Sequence, residues 1–361
     1  MFKFQDFDGK ILALRAEMTA PVARIVTTRM PFIPEPIRLF YVTNVFRYSQ
    51  SYLKREREFC QAGVELVGCN TPETDGEILA LLISSLKKVG LKDMRIDLGH
   101  ASLLKDLLDS ADLNKEQKGS LQNLLSCRDA VNLRNFMEQN GFSSELREAF
   151  LQLSCYRRLD EVSSISLNKQ KYPRANKHLK NILELQEILV DYDIEDMVFF
   201  DFSLTKQIEY YTGILFEASV PNLGLPLGGG GRYDNFIEKF GKLKLPATGF
   251  ALEIGKLLQA LKAQGFKFPR ETKTKIIVTS KTRNTAMKVI KLLRKAGAIT
   301  SLEITRRNLE KTIDYGKLVG IDYVVSVGSS LKSHVTVYDL KSNASRDIML
   351  ETFLRDFGGQ S

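Results

Sequence analysis

Cysteine and histidine are scarce in this 361-residue chain, with four of the first and three of the second. Cys60, Cys69, Cys127 and Cys155 form no CxxC pair, and His100, His178 and His334 are scattered. This pattern argues against a structural zinc site and against a disulfide framework. No cofactor is expected. A run of about 18 apolar residues is missing too, so no membrane-spanning helix is expected. The opening stretch MFKFQDFDGK lacks the apolar core of a signal peptide, and a cytoplasmic location follows as the expectation. No block of about five or six like charges stands out, which leaves a solvated surface as the plain reading of the charged residues. Internal repeats and low-complexity tracts are likewise missing.

What is present is ordinary for a soluble globular protein: 43% hydrophobic and 26% charged residues. The length suffices for two or three domains and a substantial core. A net charge of +9 permits contact with nucleic acid, nucleotides or an acidic protein without requiring any of them.

The chain opens as strand, turn and strand, with Asp8-Gly9 at the turn. A short helix is expected from about Thr19 to Met30, with Pro21 early, where a missing N–H costs least. RLFYVTNVFRY and EFCQAGVELVG are rich in β-branched and aromatic residues and read as two antiparallel strands joined by the polar loop SQSYLKRERE. A helix follows, with Thr71 as N-cap, Pro72 at its first position and Gly90 beyond its end. MRIDLGH reads as a strand. From about 101 to 190 apolar residues recur at helical spacing, which predicts a helical insertion. Strands are expected to return at MVFFDFSL and TGILFEASV. GFALEIGKLLQALKAQG is read as the helix that closes a first domain, 1–265. FKFPRETKTK reads as a linker. A C-terminal α/β domain, 273–361, is then expected from strand–helix alternation, with a largely parallel sheet and VTVYDL as its last strand.

A pocket for a free amino acid needs acceptors for the ammonium, a donor for the carboxylate and a shaped recess. Glu17 in LRAEMT is one candidate acceptor. Gln61 and Glu65 lie on one face of a strand by its period of two. Arg47 offers a planar fork to a carboxylate or phosphate. Tyr210 and Tyr211 place two hydroxyl-tipped rings side by side. Taken singly, each has a plain alternative: a surface carboxylate, or a tyrosine packed in the core. The four glycines Gly228 to Gly231 are not followed by Lys-Ser or Lys-Thr, so they do not make a P-loop. They suit a strand that a ligand or backbone approaches closely.

These segments together, LRAEMT, NVFRY, REFCQAGVELVG, EYYTGILFE and GGGGRYD, resemble the core of histidyl-tRNA synthetase, a class II synthetase. The resemblance spans about 10 to 263, with few specific motifs across the helical insertion. It is closer still to the synthetase's non-catalytic paralogues, the regulatory subunits of ATP phosphoribosyltransferase. The resemblance implies an α+β fold: an antiparallel class II sheet with flanking helices and a helical insertion, followed by the small α/β domain. It implies a histidine site lined by Glu17, Thr19, Arg47, Gln61, Glu65, Tyr210 and Tyr211. It places GGGRYD beside that pocket, and likens the C-terminal domain to an anticodon-binding domain.

The chain departs from the catalytic pattern of the family. Phe46-Arg47-Tyr48-Ser49 stands where Phe-Arg-x-Glu is usual. Lys206-Gln207-Ile208-Glu209 stands for Arg-Gly-Leu-Asp, and Glu253-Ile254-Gly255-Lys256 for Gly-Leu-Glu-Arg. No counterpart of the family's motif 1 precedes MFKFQDFDGK. Removing one charged donor from such a site costs about 2.7–4 kcal/mol of transition-state stabilisation. The expectation is therefore a chain with no reaction of its own. It would bind histidine as effector and serve a short-form ATP phosphoribosyltransferase catalytic subunit, as a homodimer within a hetero-oligomer. A divergent histidyl-tRNA synthetase and a non-catalytic tRNA-binding or sensor module stand as alternatives; contact with tRNA is not expected.

Overall fold

A computed structural model describes residues 1–48, 56–111, 113–206, 210–221, 223–224, 226–268, 273–328 and 334–358. The chain divides into two compact units, Met1–Lys267 and Phe268–Ser361.

In the first unit a hairpin of β1 (Lys3–Gln5) and β2 (Ile11–Ala13) leads into α1 (Thr19–Arg29). Strands β3 (Ile37–Phe46) and β4 (Glu58–Val67) pair antiparallel over their full length. Helix α2 (Pro72–Lys88) follows, and Gly90 adopts φ +92° just past its end, a conformation that glycine takes without steric cost. Strand β5 (Arg95–His100) then gives way to five helices: α3 (Ala101–Asp109), α4 (Lys115–Cys127), α5 (Ala130–Gln139), α6 (Ser144–Cys155) and α7 (Pro173–Asp191). The chain returns through β6 (Val198–Phe200), β7 (Ile214–Ser219), β8 (Gly228–Arg232) and β9 (Ala247–Glu253), and α8 (Ile254–Ala263) follows.

These strands form one seven-stranded sheet in the order β3-β4-β9-β8-β7-β5-β6. All neighbours run antiparallel except β5 and β6. The fold is the α+β arrangement expected, an antiparallel sheet flanked by helices. One apolar core unites the sheet with the buried stripe of α2 (Ile78, Leu79, Leu82, Ile83, Leu86) and with the apolar faces of α3 to α7. A second, smaller core holds α1 through Val22, Ala23 and Val26 against Val67, Tyr233 and Ile237. That smaller core fixes the wall of the cleft described below.

Two sequence readings are corrected here. GFALE is not the start of a helix but the end of β9, hydrogen-bonded on both sides, to β4 and β8. Its apolar residues are compatible with either state, and sheet pairing decides between them. MVFFDFSL is a strand for only Val198–Phe200, after which Phe202–Lys206 closes into a 3-10 turn.

The second unit contains β10 (Lys275–Ser280), α9 (Arg283–Lys295), β11 (Ile299–Leu302), α10 (Leu309–Leu318), β12 (Tyr323–Val327), β13 (His334–Asp339), β14 (Ala344–Met349) and α11 (Leu350–Gly358). Its sheet runs β11-β10-β12-β13-β14. Only the β10–β11 and β10–β12 pairs are parallel, so the sheet is mixed rather than largely parallel. VTVYDL is followed by one more strand, in ASRDIM. That polar segment carries no apolar alternation to announce it, and is recruited by pairing with β13. Among the described residues no helix is long and apolar enough to cross a membrane.

Candidate functional site

A cavity of about 990 Å³ lies on one face of the seven-stranded sheet. Its floor follows from strand parity. Gln61, Gly63 and Glu65 share one face of β4. In register across the neighbouring strands, Tyr41, Gly63, Ala251 and Gly229 form one row; Leu39, Glu65, Gly249 and Gly231 form the next. Small residues keep this floor low. A Cβ on Gly63 would lie 2.3 Å from the Tyr41 ring, and one on Gly249 would lie 2.2 Å from Glu65 Oε2. The glycines make room for the side chains beside them.

Glu65 is 2% exposed. Its carboxylate accepts a hydrogen bond from Thr19 Oγ1 at 3.0 Å and another from the Tyr233 hydroxyl. Burial pushes its carboxyl up to about 8, against the lowering effect of those two donors. Gln61 is 4% exposed, and its amide has no protein hydrogen bond among the described residues. Glu17 also lines the cleft, but its two oxygens accept the Ala20 N–H at 3.0 and 3.2 Å, so it caps the first turn of α1 as well. Thr19 stands behind Glu65 and orients it.

Tyr210 and Tyr211 both border the cleft, with ring centroids 4.8 Å apart. Tyr210 also packs against Phe236 at 4.8 Å and edge-on to Tyr233 at 6.0 Å. Burial, with the nearby carboxylates, holds both hydroxyls protonated. Arg47 is exposed at the rim. Its Nε donates to the Ala16 carbonyl at 2.9 Å and its guanidinium stacks 5.2 Å from the centre of the Phe59 ring. One edge of the fork is therefore already committed to the backbone.

Among the lining residues, Tyr41, Glu56 and Glu217 were not singled out from sequence, and Tyr233 was included only as part of the GGGRYD stretch. Tyr41 stands opposite Gly63, and a glycine midway between two polar residues on one strand face is the signal that a neighbouring ring lies over it. Tyr233 follows the glycine run and is 3% exposed, with its hydroxyl spent on Glu65. The preceding Arg232 is buried below the cleft. It bonds Asp75 at 2.9 Å, Asp234 at 3.1 Å and Thr74 Oγ1 at 2.7 Å, tying the start of α2 to β8.

The other end of the cleft differs in character. Here Lys256 Nζ sits 2.9 Å from Glu253 Oε2, and Glu217 and Glu56 line the same space. Burial and the nearby Asp97 push the Glu217 carboxyl above its ordinary value. Gly255 contributes no side chain. Ser49 and Gln207 to Glu209 lie outside the described residues. No group of three or more metal-ligating side chains occurs among the described residues.

Comparison with known proteins bears on these features. The family model of histidyl-tRNA synthetase matches residues 1–257. An ATP phosphoribosyltransferase regulatory subunit from Acetivibrio thermocellus is 31% identical over 98% of this chain and 84% of its own length. A histidine–tRNA ligase from Thermococcus kodakarensis is 34% identical over 97% of this chain and 83% of its own. A crystal structure described as an ATP phosphoribosyltransferase regulatory subunit/histidyl-tRNA synthetase from Bacillus halodurans superposes with a TM-score of 0.74 at 29% identity, covering 91% of this chain and 83% of that one. The chain belongs to the histidyl-tRNA synthetase family, in which its relatives include both ATP phosphoribosyltransferase regulatory subunits and histidine–tRNA ligases.

Proposed function

We propose that this chain is the regulatory subunit of an ATP phosphoribosyltransferase. In this reading it binds free histidine in the cleft, joins a short-form catalytic subunit in the cytoplasm, catalyses nothing itself and passes histidine feedback to that partner as a homodimer within a hetero-oligomer. Overall identity to the two kinds of relative is nearly equal, so the cleft has to carry the distinction. The observation that carries ligand binding is Gln61. Its amide lines the cleft and makes no protein hydrogen bond among the described residues, so its donors and acceptor are free for a polar ligand. Around it stand an acceptor for an N–H donor (Glu65), a second carboxylate (Glu17), hydroxyl-tipped rings (Tyr210, Tyr211) and a guanidinium at the rim (Arg47). Those are the contacts an amino acid with a polar ring needs.

The reading against catalysis rests on Gly255 and on Lys256, whose ammonium is bonded to Glu253. Adenylate formation needs free charged donors aimed at a triphosphate. Regulation requires that histidine bind one state of the complex better than the other. A coupling of about 1–3 kcal/mol gives a 5–150-fold shift. The test is reconstitution with a short catalytic subunit. The complex should be active and inhibited by histidine, and Glu65→Ala should abolish inhibition while the complex still elutes intact from size exclusion. Full histidine sensitivity in that variant would route feedback through another site.

A tRNA-binding reading has one observation in its favour. Residues 268–361 carry 17 Lys and Arg against 9 Asp and Glu, so they hold +8 of the chain's +9. Residues 273–302 contain eight basic residues and no acidic one, with Lys288, Lys291 and Lys295 exposed along α9. Binding of tRNA that weakens steeply with salt would support it; salt-independent or undetectable binding would remove it.

A further inference from the structure

The charges around the cleft carry a second inference, which rests on the amino-acid reading above. Besides Glu65, whose carboxyl is raised to about 8, four acidic side chains line the cavity: Glu17, Glu56, Glu217 and Glu253. Two cations, Arg47 and Lys256, oppose them. Neither is free. Arg47 gives its Nε to the Ala16 carbonyl and lies on the Phe59 ring, and Lys256 is held by Glu253 at 2.9 Å, with both side chains of that pair largely buried at 26% and 19% exposure.

The space itself is generous. A cavity of about 990 Å³ sits at the upper end of the range for drug-sized ligands, and a single amino acid fills only part of it. Something other than size must therefore decide what enters. Register shows how Glu253 comes to stand there. It is the last residue of β9 and the direct cross-strand neighbour of Gln61, so it continues the floor by one row beyond Ala251. One turn of helix later, Lys256 folds back onto it. The ammonium that would meet an incoming phosphate is neutralised, and Glu217 and Glu56 add further negative charge around the same space.

We propose that Glu253 is a specificity-determining residue: by holding Lys256 it makes this part of the cleft repel polyanions, so that the site admits an amino acid and refuses nucleoside polyphosphates. Discrimination by a like-charge barrier is a standard device where shape cannot do the work.

The experiment titrates AMP, ADP and magnesium ATP separately into the full chain, and histidine into a parallel sample. In the wild type, affinity should not increase from AMP to ATP. Glu253→Ala, and the isosteric Glu253→Gln, should release Lys256 and bind magnesium ATP at least tenfold more tightly than wild type. The double variant Glu253→Ala with Lys256→Ala should lose that gain. Wild-type binding that tightens with each added phosphate overturns the proposal, as does a folded Glu253 variant with no gain in ATP affinity. The histidine titration reports on the underlying reading alone. A chain that fails to bind histidine contradicts that reading whatever the nucleotides do.

Discussion

Gln61 and Glu65 sit four positions apart on the same face of β4 and differ in their hydrogen bonding. Each oxygen of Glu65 accepts one hydrogen bond, from Thr19 and from Tyr233, and keeps a lone pair for a ligand, whereas the Gln61 amide has no protein partner among the described residues. Replacing a buried amide by an apolar side chain of similar shape is close to neutral or stabilising. Gln61→Leu should therefore keep or raise thermal stability while weakening histidine binding by about 1–3 kcal/mol, read by calorimetry on the folded variant. Equal losses of stability and affinity would make Gln61 a structural residue. Glu65 yields a pH prediction whose sign is fixed by its raised value. Its carboxyl ionises near 8 in the folded chain and near 4.5 when unfolded, so between those values the unfolded state holds fewer protons. Stability from the protonated carboxyl is thus complete below about 4.5 and is lost as pH rises toward 8. Glu65→Gln, which cannot ionise, should gain Tm relative to wild type between pH 5 and pH 9. A constant difference across that range would mean that Glu65 is ionised throughout. The polar residues of the cleft were legible from sequence because strand parity alone puts 61 and 65 on one face. Tyr41 was not, because its place depends on the register of β3 against β4, which a single sequence does not reveal.

The elements that frame the cleft are joined by a buried ion pair. Arg232 at the end of β8 reaches Asp75 in the first turn of α2, and also takes up the backbone carbonyls of Cys69 and Thr71. Removing one partner of such a pair strands a buried charge and costs about 3–5 kcal/mol. Arg232→Met should therefore lose stability on that scale in urea unfolding, and Arg232→Lys should recover little, since a lysine lacks the fork that serves five partners. Substitution with an effect under about 1 kcal/mol would show that the network is solvated. The glycine run preceding Arg232 was read correctly as a strand that neighbours approach closely. Gly249 shows the reason from the other side, since its missing Cβ is what leaves room for Glu65. Gly249→Ala should push the Glu65 carboxylate out of place and weaken histidine binding with a smaller loss of stability than Arg232→Met. The element most misread was β9. Phe250 and Leu252 face the core while the small Gly249 and Ala251 line the cleft floor, so the sequence shows no polar alternation, and such a run does not separate strand from helix.

At the scale of the whole molecule, fold class was legible because several short motifs, far apart in sequence, fit one site. The second unit carries fewer such marks. Its first two βα repeats are periodic and were read, whereas β14 is polar, exposed along most of its length and visible only through its pairing. Almost all of the net charge resides in that unit, while the cleft of the first unit is lined by an excess of carboxylates. The two units therefore differ in the charge they carry. For the first unit the proposed role is that its cleft binds histidine without activating it. The most direct test measures both on one preparation of the chain, histidine binding by calorimetry and histidine-dependent ATP–pyrophosphate exchange. The account predicts saturable one-to-one histidine binding with exchange no faster than in a sample lacking enzyme. Exchange that depends on histidine would contradict it and make the chain a working ligase.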